Sequence, residues 1–203
     1  MKLINRSRTT TSYRRSKKPL NALAALGTAG HNGFERWAGV GVFLEPWLGR
    51  RATNILWSVS LPVWFWRALV GGRREEPMLA FGAGMAIAGA VVHYVEWPWS
   101  TRVGVLPWLD EAEGFRPNLL PAYNTILWGW FIGGVGSVLT ETRRENLKYA
   151  AAGVATTPLL LASARHHFRW EREQAEKGDP AFNADLLAES PRRPVTGTKE
   201  QGR

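Results

Sequence analysis

The chain has 203 residues, a formal net charge of +9 and no cysteine. The lack of cysteine excludes a disulfide framework, thiolate metal sites and a cysteine nucleophile. The positive charge and the 11 tryptophans would suit nucleic acid, but the tryptophans are enclosed by long apolar segments, so we exclude nucleic acid as a partner.

The chain begins with a basic segment. Residues 1–32 combine Lys, Arg, Ser and Thr with few strong apolar anchors, and we expect this tail to be largely disordered. Residues 33–49 include two tryptophans and the pair Glu45-Pro46, and they predict an interfacial or re-entrant amphipathic helix. The alternative is a fifth span from Trp37 to Gly49, which is short for a crossing.

Four apolar stretches make up the middle of the chain, residues 50–170. A bilayer core about 30 Å thick is crossed by roughly 20 apolar helical residues, and the stretches have about that length. We therefore predict an all-α integral membrane protein with a four-helix transmembrane bundle. The predicted spans are about 54–72, 78–97, 120–140 and 147–165.

The first predicted span contains a proline and one charge. Pro62 is tolerated in a membrane helix when neighbours satisfy the freed carbonyl. Arg67 lies near the end of the span, and we expect its guanidinium to reach the interface on its apolar stem. The alternative is that the charge of Arg67 is buried and has a function.

Basic residues are concentrated before the first span and after the last one. Because Lys and Arg favour the cytoplasmic side, both termini are predicted to be cytoplasmic, including the charged C-terminal tail, residues 171–203. The high Ala, Gly and Arg usage indicates a bacterial source, and hence a bacterial cytoplasmic membrane. The basic tails are expected to bind anionic lipids.

Two halves of the middle segment resemble each other weakly. Asn54-Ile-Leu-Trp57 and Asn124-Thr-Ile-Leu-Trp128 open two spans, and His93 and His166 each precede a tryptophan by four residues. This pattern predicts two duplicated helical hairpins, with chance similarity as the alternative. Small residues spaced four apart, Gly129, Gly133 and Ser137, predict a face for close helix packing.

The candidate site lies at the tail-side ends of the second and fourth spans. His93 and His166 would lie at equal depth on different helices, as the axial ligands of a haem require. Glu96 and Arg169 would surround such a cofactor. The alternative is that all four are ordinary interfacial residues, and we predict no catalytic residue, no metal site and no cofactor, with haem as the exception. His31 is assigned to the surface segment, without a role.

The pattern favours a small accessory, scaffold or assembly subunit, which binds a membrane protein partner, a second copy of itself or anionic lipid at the cytoplasmic face. The alternative is a membrane-embedded enzyme or redox subunit, of haem or quinone type, that acts on a lipid-soluble substrate through His93, Glu96 and His166. A second alternative is a small transporter. It is weakened because the spans contain no Asp, Glu or Lys at mid-depth.

Overall fold

The computed structural model describes residues 17–188, without the side chain of Val103, so the ends of both predicted tails lie outside the described residues. The described chain is mostly helical, and one antiparallel hairpin pairs Trp99 with Leu109. The elements in chain order are α1 (Pro19–Ala38), α2 (Glu45–Val70), α3 (Glu76–Glu96), β1 (Trp99–Val103), β2 (Leu106–Leu109), α4 (Leu120–Gly136), α5 (Leu147–Val154) and α6 (Thr157–Glu176).

Proline marks the start of most helices. Its fixed φ suits the first helical turn, where its missing N–H would have no partner in the helix. The first turns of α1, α2, α3, α4 and α6 contain Pro19, Pro46, Pro77, Pro121 and Pro158. At the other end, α1 stops at Gly39, whose φ of 77° is a left-handed conformation that glycine adopts easily.

Residues 19–32 form most of α1, although the composition of this segment predicts a disordered tail. The segment is rich in Ala and Gly, and these small side chains allow α1 to approach α4 closely. A Cβ on Gly27 would lie 2.5 Å from the Cα of Trp130, and one on Gly133 would lie 2.5 Å from the backbone N of Ala24. Tertiary packing therefore orders a segment whose composition alone does not predict a stable helix.

The four-span bundle is not confirmed, because α3 is the one helix of the described residues that is long and apolar enough to cross a membrane. The first predicted span lies in α2, which bends at Gly49 and carries Arg67 near its end. The third is divided between α4, of 17 residues, and a π-helical turn, Ser137–Glu141. The fourth is interrupted between Val154 and Thr157.

The centre of the fold is formed by α1, α3 and α4. α4 packs against both α1 and α3, α3 also contacts α5 and α6, and α1 contacts α2. Tyr123 and Leu127 of α4 are fully buried in this core, together with Trp97 and Phe168. The hairpin is attached to α4 by Asn124, whose side chain accepts from the Leu109 N–H and donates to the Leu109 carbonyl.

The outer face of α2 is apolar and exposed. No charged residue occurs from Ala52 to Trp66. Within that stretch Ile55, Val59, Val63 and Trp66 are 59, 60, 49 and 61 % exposed, and they recur every three or four residues along one side of the helix. We call these four residues the apolar stripe of α2. Further exposed apolar side chains include Leu26, Phe81, Ile132, Leu139 and Leu159.

The start of α1 is capped by a residue distant in sequence. The Glu141 carboxylate accepts hydrogen bonds from the backbone N–H groups of Leu20 and Asn21, at 2.7 and 2.9 Å. A carboxylate at this position satisfies two N–H groups that have no partner in the helix and interacts favourably with the helix dipole.

We expect Glu141→Ala to destabilise the protein by about 1–2 kcal/mol, because the capping hydrogen bonds of α1 are lost. Thermal unfolding of the purified protein, followed by circular dichroism, measures the effect. Glu145→Ala is the control, since Glu145 is exposed and pairs with Arg143 at 3.9 Å, a surface ion pair of small energy. Equal melting temperatures for the two variants would contradict this role of Glu141.

Candidate functional site

A cavity of about 280 Å³ lies among α1, α2, α3, α4 and α6. Its lining is mainly aromatic and aliphatic, with Trp57, Trp64, Phe81, Trp130 and Leu160 among its walls. The ionisable residues that line it are His31, Glu35, His93, Glu96 and His167. A largely apolar cavity with a few convergent polar groups is the usual form of a small-molecule site.

His31, Glu35 and His93 converge at this cavity, and we call them the His–Glu–His cluster. His31 and Glu35 are four residues apart on α1, so they share one face of the helix. His93 reaches them from α3, and its Nε2 lies 2.8 Å from the Nε2 of His31. Glu35 Oε1 is 3.1 Å from the same His31 nitrogen. All three side chains are buried.

Hydrogen bonds orient the two imidazoles of the cluster. His93 Nδ1 donates to the carbonyl oxygen of Gly89 at 2.7 Å, and His31 Nδ1 lies 3.2 Å from Asn32 Oδ1. A neutral His93 therefore presents the lone pair of its Nε2 toward His31. A cation at this position, either a proton on His31 Nε2 or a metal ion, is attracted by both His93 and the carboxylate of Glu35.

Tyr123 of α4 completes the surroundings of the cluster. Its hydroxyl donates to Glu35 Oε1 at 2.9 Å and lies 3.1 Å from His31 Nε2. Burial opposes ionisation of Glu35, but the imidazoles of His31, His93 and His167 hold the pKa of its carboxyl below its ordinary value. Glu35 is therefore a carboxylate that is held in place by a hydrogen bond.

A second buried His–Glu pair, on α6, repeats the spacing of the first. His167 and Glu171 are four residues apart and in direct contact. Burial alone would lower the pKa of His167, but the carboxylate of Glu171 raises it above its ordinary value. Burial also raises the pKa of Glu171. The pair is thus suited to hold a proton, and the Nδ1 of His167 has no hydrogen-bond partner among the described residues.

The buried carboxylates fall into two groups by the partner that each one has. Glu45, Glu76, Glu96 and Glu113 form ion pairs with arginines, as expected of structural pairs. Glu35 and Glu171 instead form their ion pairs with histidines, which are charged only when protonated. Histidine partners that can exchange protons near neutral pH are typical of catalytic or metal-binding sites.

The structure places two of the four candidate residues at the cavity and the other two on the exposed surface. His93 and Glu96 line the cavity, and Glu96 pairs with Arg165 at 2.9 Å. His166 is exposed and its ring packs against Trp47, with 5.1 Å between the ring centres. Arg169 is also exposed. The structure therefore brings His93 to the cavity with His167 rather than with His166.

The sequence did not single out His31, Glu35, His167 and Glu171 as candidate site residues. A signal was present, because His31 and Glu35 have the same four-residue spacing as His167 and Glu171. On a helix this spacing places both side chains on one face, where they can act on the same group. Residues 1–32 are predicted to form a tail and residues 33–49 a surface helix. The sequence therefore does not predict that α1 lies at the centre of the protein.

Comparison with known proteins assigns no family to this chain. It matches no protein-family model, no curated protein and no solved structure. The function proposed below is therefore based on the chemistry of the cavity and on the surface that surrounds it.

Proposed function

We propose that the protein is a membrane-embedded enzyme that acts on a lipid-soluble molecule bound in the cavity. The observation that supports this most directly is the position of the His–Glu–His cluster: three buried ionisable side chains line a cavity whose walls are otherwise mainly apolar. Burying such groups is unfavourable for folding, and they are typically retained where they carry chemistry.

The surface of the protein supports a membrane environment. Soluble monomers rarely expose a large continuous apolar patch, whereas lipid is a favourable solvent for one. The apolar stripe of α2 is bounded by Arg50 and Arg51 before it and by Arg67 after it, as expected for a lipid-facing helix whose basic residues reach the headgroups. The apolar character and length of α3 agree with this environment.

The accessory or scaffold function that the sequence favours does not account for the cavity. A scaffold requires an exposed surface for its partner, but the two His–Glu pairs are buried. Both His–Glu pairs are explained if each takes a separate part in a reaction at the cavity. In this proposal His167, held in place by Glu171, transfers a proton to or from the substrate, and the His–Glu–His cluster acts on the reacting polar group.

The size and walls of the cavity define the class of substrate. A volume of about 280 Å³ holds a small lipophilic molecule or part of a longer one. Aromatic walls favour an apolar or unsaturated body, while the buried histidines and carboxylates favour one polar or reactive group. A lipid with a single oxygen-containing functional group meets both conditions.

A cavity-filling variant tests this proposal. Ala164 lines the cavity and Ala162 is exposed on the same helix, so Ala164→Phe and Ala162→Phe form a matched pair. The purified wild-type protein and both variants are incubated with a total lipid extract, and the lipids are compared by mass spectrometry before and after. We expect the wild-type protein and Ala162→Phe to convert the same lipid species, and Ala164→Phe to lose most of that conversion.

Two results would overturn the proposal. The first is that no lipid species changes with the wild-type protein. The second is that Ala164→Phe and Ala162→Phe convert lipid equally well, which would place the reaction outside the cavity. Labelling of the wild-type protein with a photoreactive fatty acid provides an independent readout, because the proposal expects labelled peptides from the cavity walls.

A further inference from the structure

We propose that the His–Glu–His cluster binds one divalent transition-metal ion, Zn²⁺ or Fe²⁺, through the Nε2 atoms of His31 and His93 and the carboxylate of Glu35. This inference deepens the proposed function by naming the cofactor of the same site, and it depends on that function only for the catalytic role of the metal. Metal binding itself is inferred from the geometry of the donor atoms.

The donor atoms lie close enough together to bind one ion after small side-chain shifts. Two ligands bonded to one ion at about 2.1 Å lie roughly 3.0 Å apart at a right angle and at most roughly 4.2 Å apart on opposite sides. His31 Nε2 lies 2.8 Å from His93 Nε2 and 3.1 Å from Glu35 Oε1, both close to the right-angle separation. The donor atoms of all three residues lie within 4.8 Å of one another, so a bound ion would draw the widest pair slightly closer.

The same distances do not fit a haem held between two histidines. Axial ligands on opposite sides of an iron have nitrogens about 4 Å apart, with the porphyrin ring between them. The Nε2 atoms of His31 and His93 are closer than that, at 2.8 Å. The cluster therefore favours a metal ion without a macrocycle.

The groups around the cluster are those that usually support metal ligands. Metal-binding histidines typically donate their second ring nitrogen to a carbonyl or carboxylate oxygen, which orients the ring. His93 does so to Gly89, and His31 Nδ1 lies within hydrogen-bond distance of the Asn32 side-chain amide. Tyr123 holds the carboxylate of Glu35 in the same way.

Three protein ligands leave room for a reacting group. Structural zinc sites typically have four protein ligands, whereas catalytic sites have three and an open position. All three residues of the cluster line the cavity, in which we place the substrate. Two histidines and one carboxylate are suitable ligands for Zn²⁺ and for Fe²⁺.

Metal analysis of the full chain tests this inference. The protein is purified in detergent, its metal content is measured by mass spectrometry, and the metal is removed with a chelator. Co²⁺ is then titrated as a coloured probe, followed by competition with Zn²⁺ and Fe²⁺. We expect about one equivalent of Co²⁺ per chain, and His31→Ala and His93→Ala to weaken binding by at least about 100-fold.

The matched control is Glu173→Ala, an exposed carboxylate on α6, which should bind Co²⁺ as the wild-type protein does. Tyr123→Phe keeps all three ligands and should weaken binding by only about 10-fold. If the histidine variants fail to fold, X-ray absorption of the wild-type protein with Co²⁺ decides the question, because two imidazoles and an oxygen donor are expected around the ion.

The inference is overturned if the folded wild-type protein binds no Co²⁺, Zn²⁺ or Fe²⁺. It is also overturned if binding persists unchanged in folded His31→Ala and His93→Ala, or if X-ray absorption shows no imidazole. Lipid conversion distinguishes the two proposals. Conversion without bound metal would remove the metal and leave the enzyme, whereas metal binding without conversion would leave the site and remove the proposed reaction.

Discussion

The substitution Gly133→Ala is expected to lower the stability of the protein by about 2–3 kcal/mol, because the added methyl group has no space between α4 and α1. The added Cβ would lie 2.5 Å from the backbone N of Ala24 and 3.0 Å from the carbonyl oxygen of Leu20. Backbone atoms cannot turn aside as a flexible side chain can, so the two helices must separate. Thermal unfolding in detergent, followed by tryptophan fluorescence, measures the loss.

Gly129→Ala is the matched control for this substitution. Gly129 lies one turn earlier in α4, and a Cβ there meets no atom of the described residues within 4 Å. Because alanine favours helix more than glycine does, Gly129→Ala should leave stability unchanged or raise it by up to about 1 kcal/mol. If both variants lowered stability equally, the close contact at Gly133 would not be what holds α1 against α4.

This pair of glycines shows how much of the fold could be predicted. The four-residue spacing of Gly129, Gly133 and Ser137 predicts a helix contact, and two of the three residues, Gly133 and Ser137, are buried. The sequence could not show that the partner is α1, nor that a Cβ at Gly129 would meet no atom of the described residues within 4 Å. A contact between α1 and α4 joins residues more than 100 positions apart, and local periodicity carries no information about such pairs.

The apolar stretches predict correctly that the chain is mostly helical, but they do not predict where the helices are interrupted. Uncharged composition continues through residues 149–164, so it predicts one long helix, whereas the structure ends α5 at Val154 and begins α6 at Thr157. Pro158 at the start of α6 was the available signal, because proline favours the first turn of a helix over its interior.

The sequence singled out two residues that line the cavity and one that does not, for a reason of helical phase. His93 and Glu96 were singled out by their position near the end of an apolar helix, and both line the cavity. His166 was preferred to His167 because it precedes a tryptophan by four residues, as His93 does. One residue on a helix is a rotation of about 100°, and the buried residues His167, Phe168 and Glu171 show which face of α6 points inward.

The substitution His167→Ala is expected to reduce lipid conversion by about 10²- to 10⁴-fold, the range typical of losing a general acid or base. The physical reason is that the buried carboxylate of Glu171 holds a proton on His167 beside the cavity. The measurement is the rate of loss of the lipid species that the wild-type protein converts. Glu173→Ala, on the exposed side of the same helix, is the control for nonspecific effects on α6.

Binding of Co²⁺ to the same variants separates proton transfer from metal binding. His167 is not one of the three proposed ligands, so His167→Ala should bind Co²⁺ like the wild-type protein while losing conversion. If His167→Ala lost both, His167 would belong to the metal site and the proposed division of roles would be wrong. If His166→Ala lost conversion and His167→Ala did not, α6 would present the opposite face to the substrate, and the cavity could not be the place of reaction.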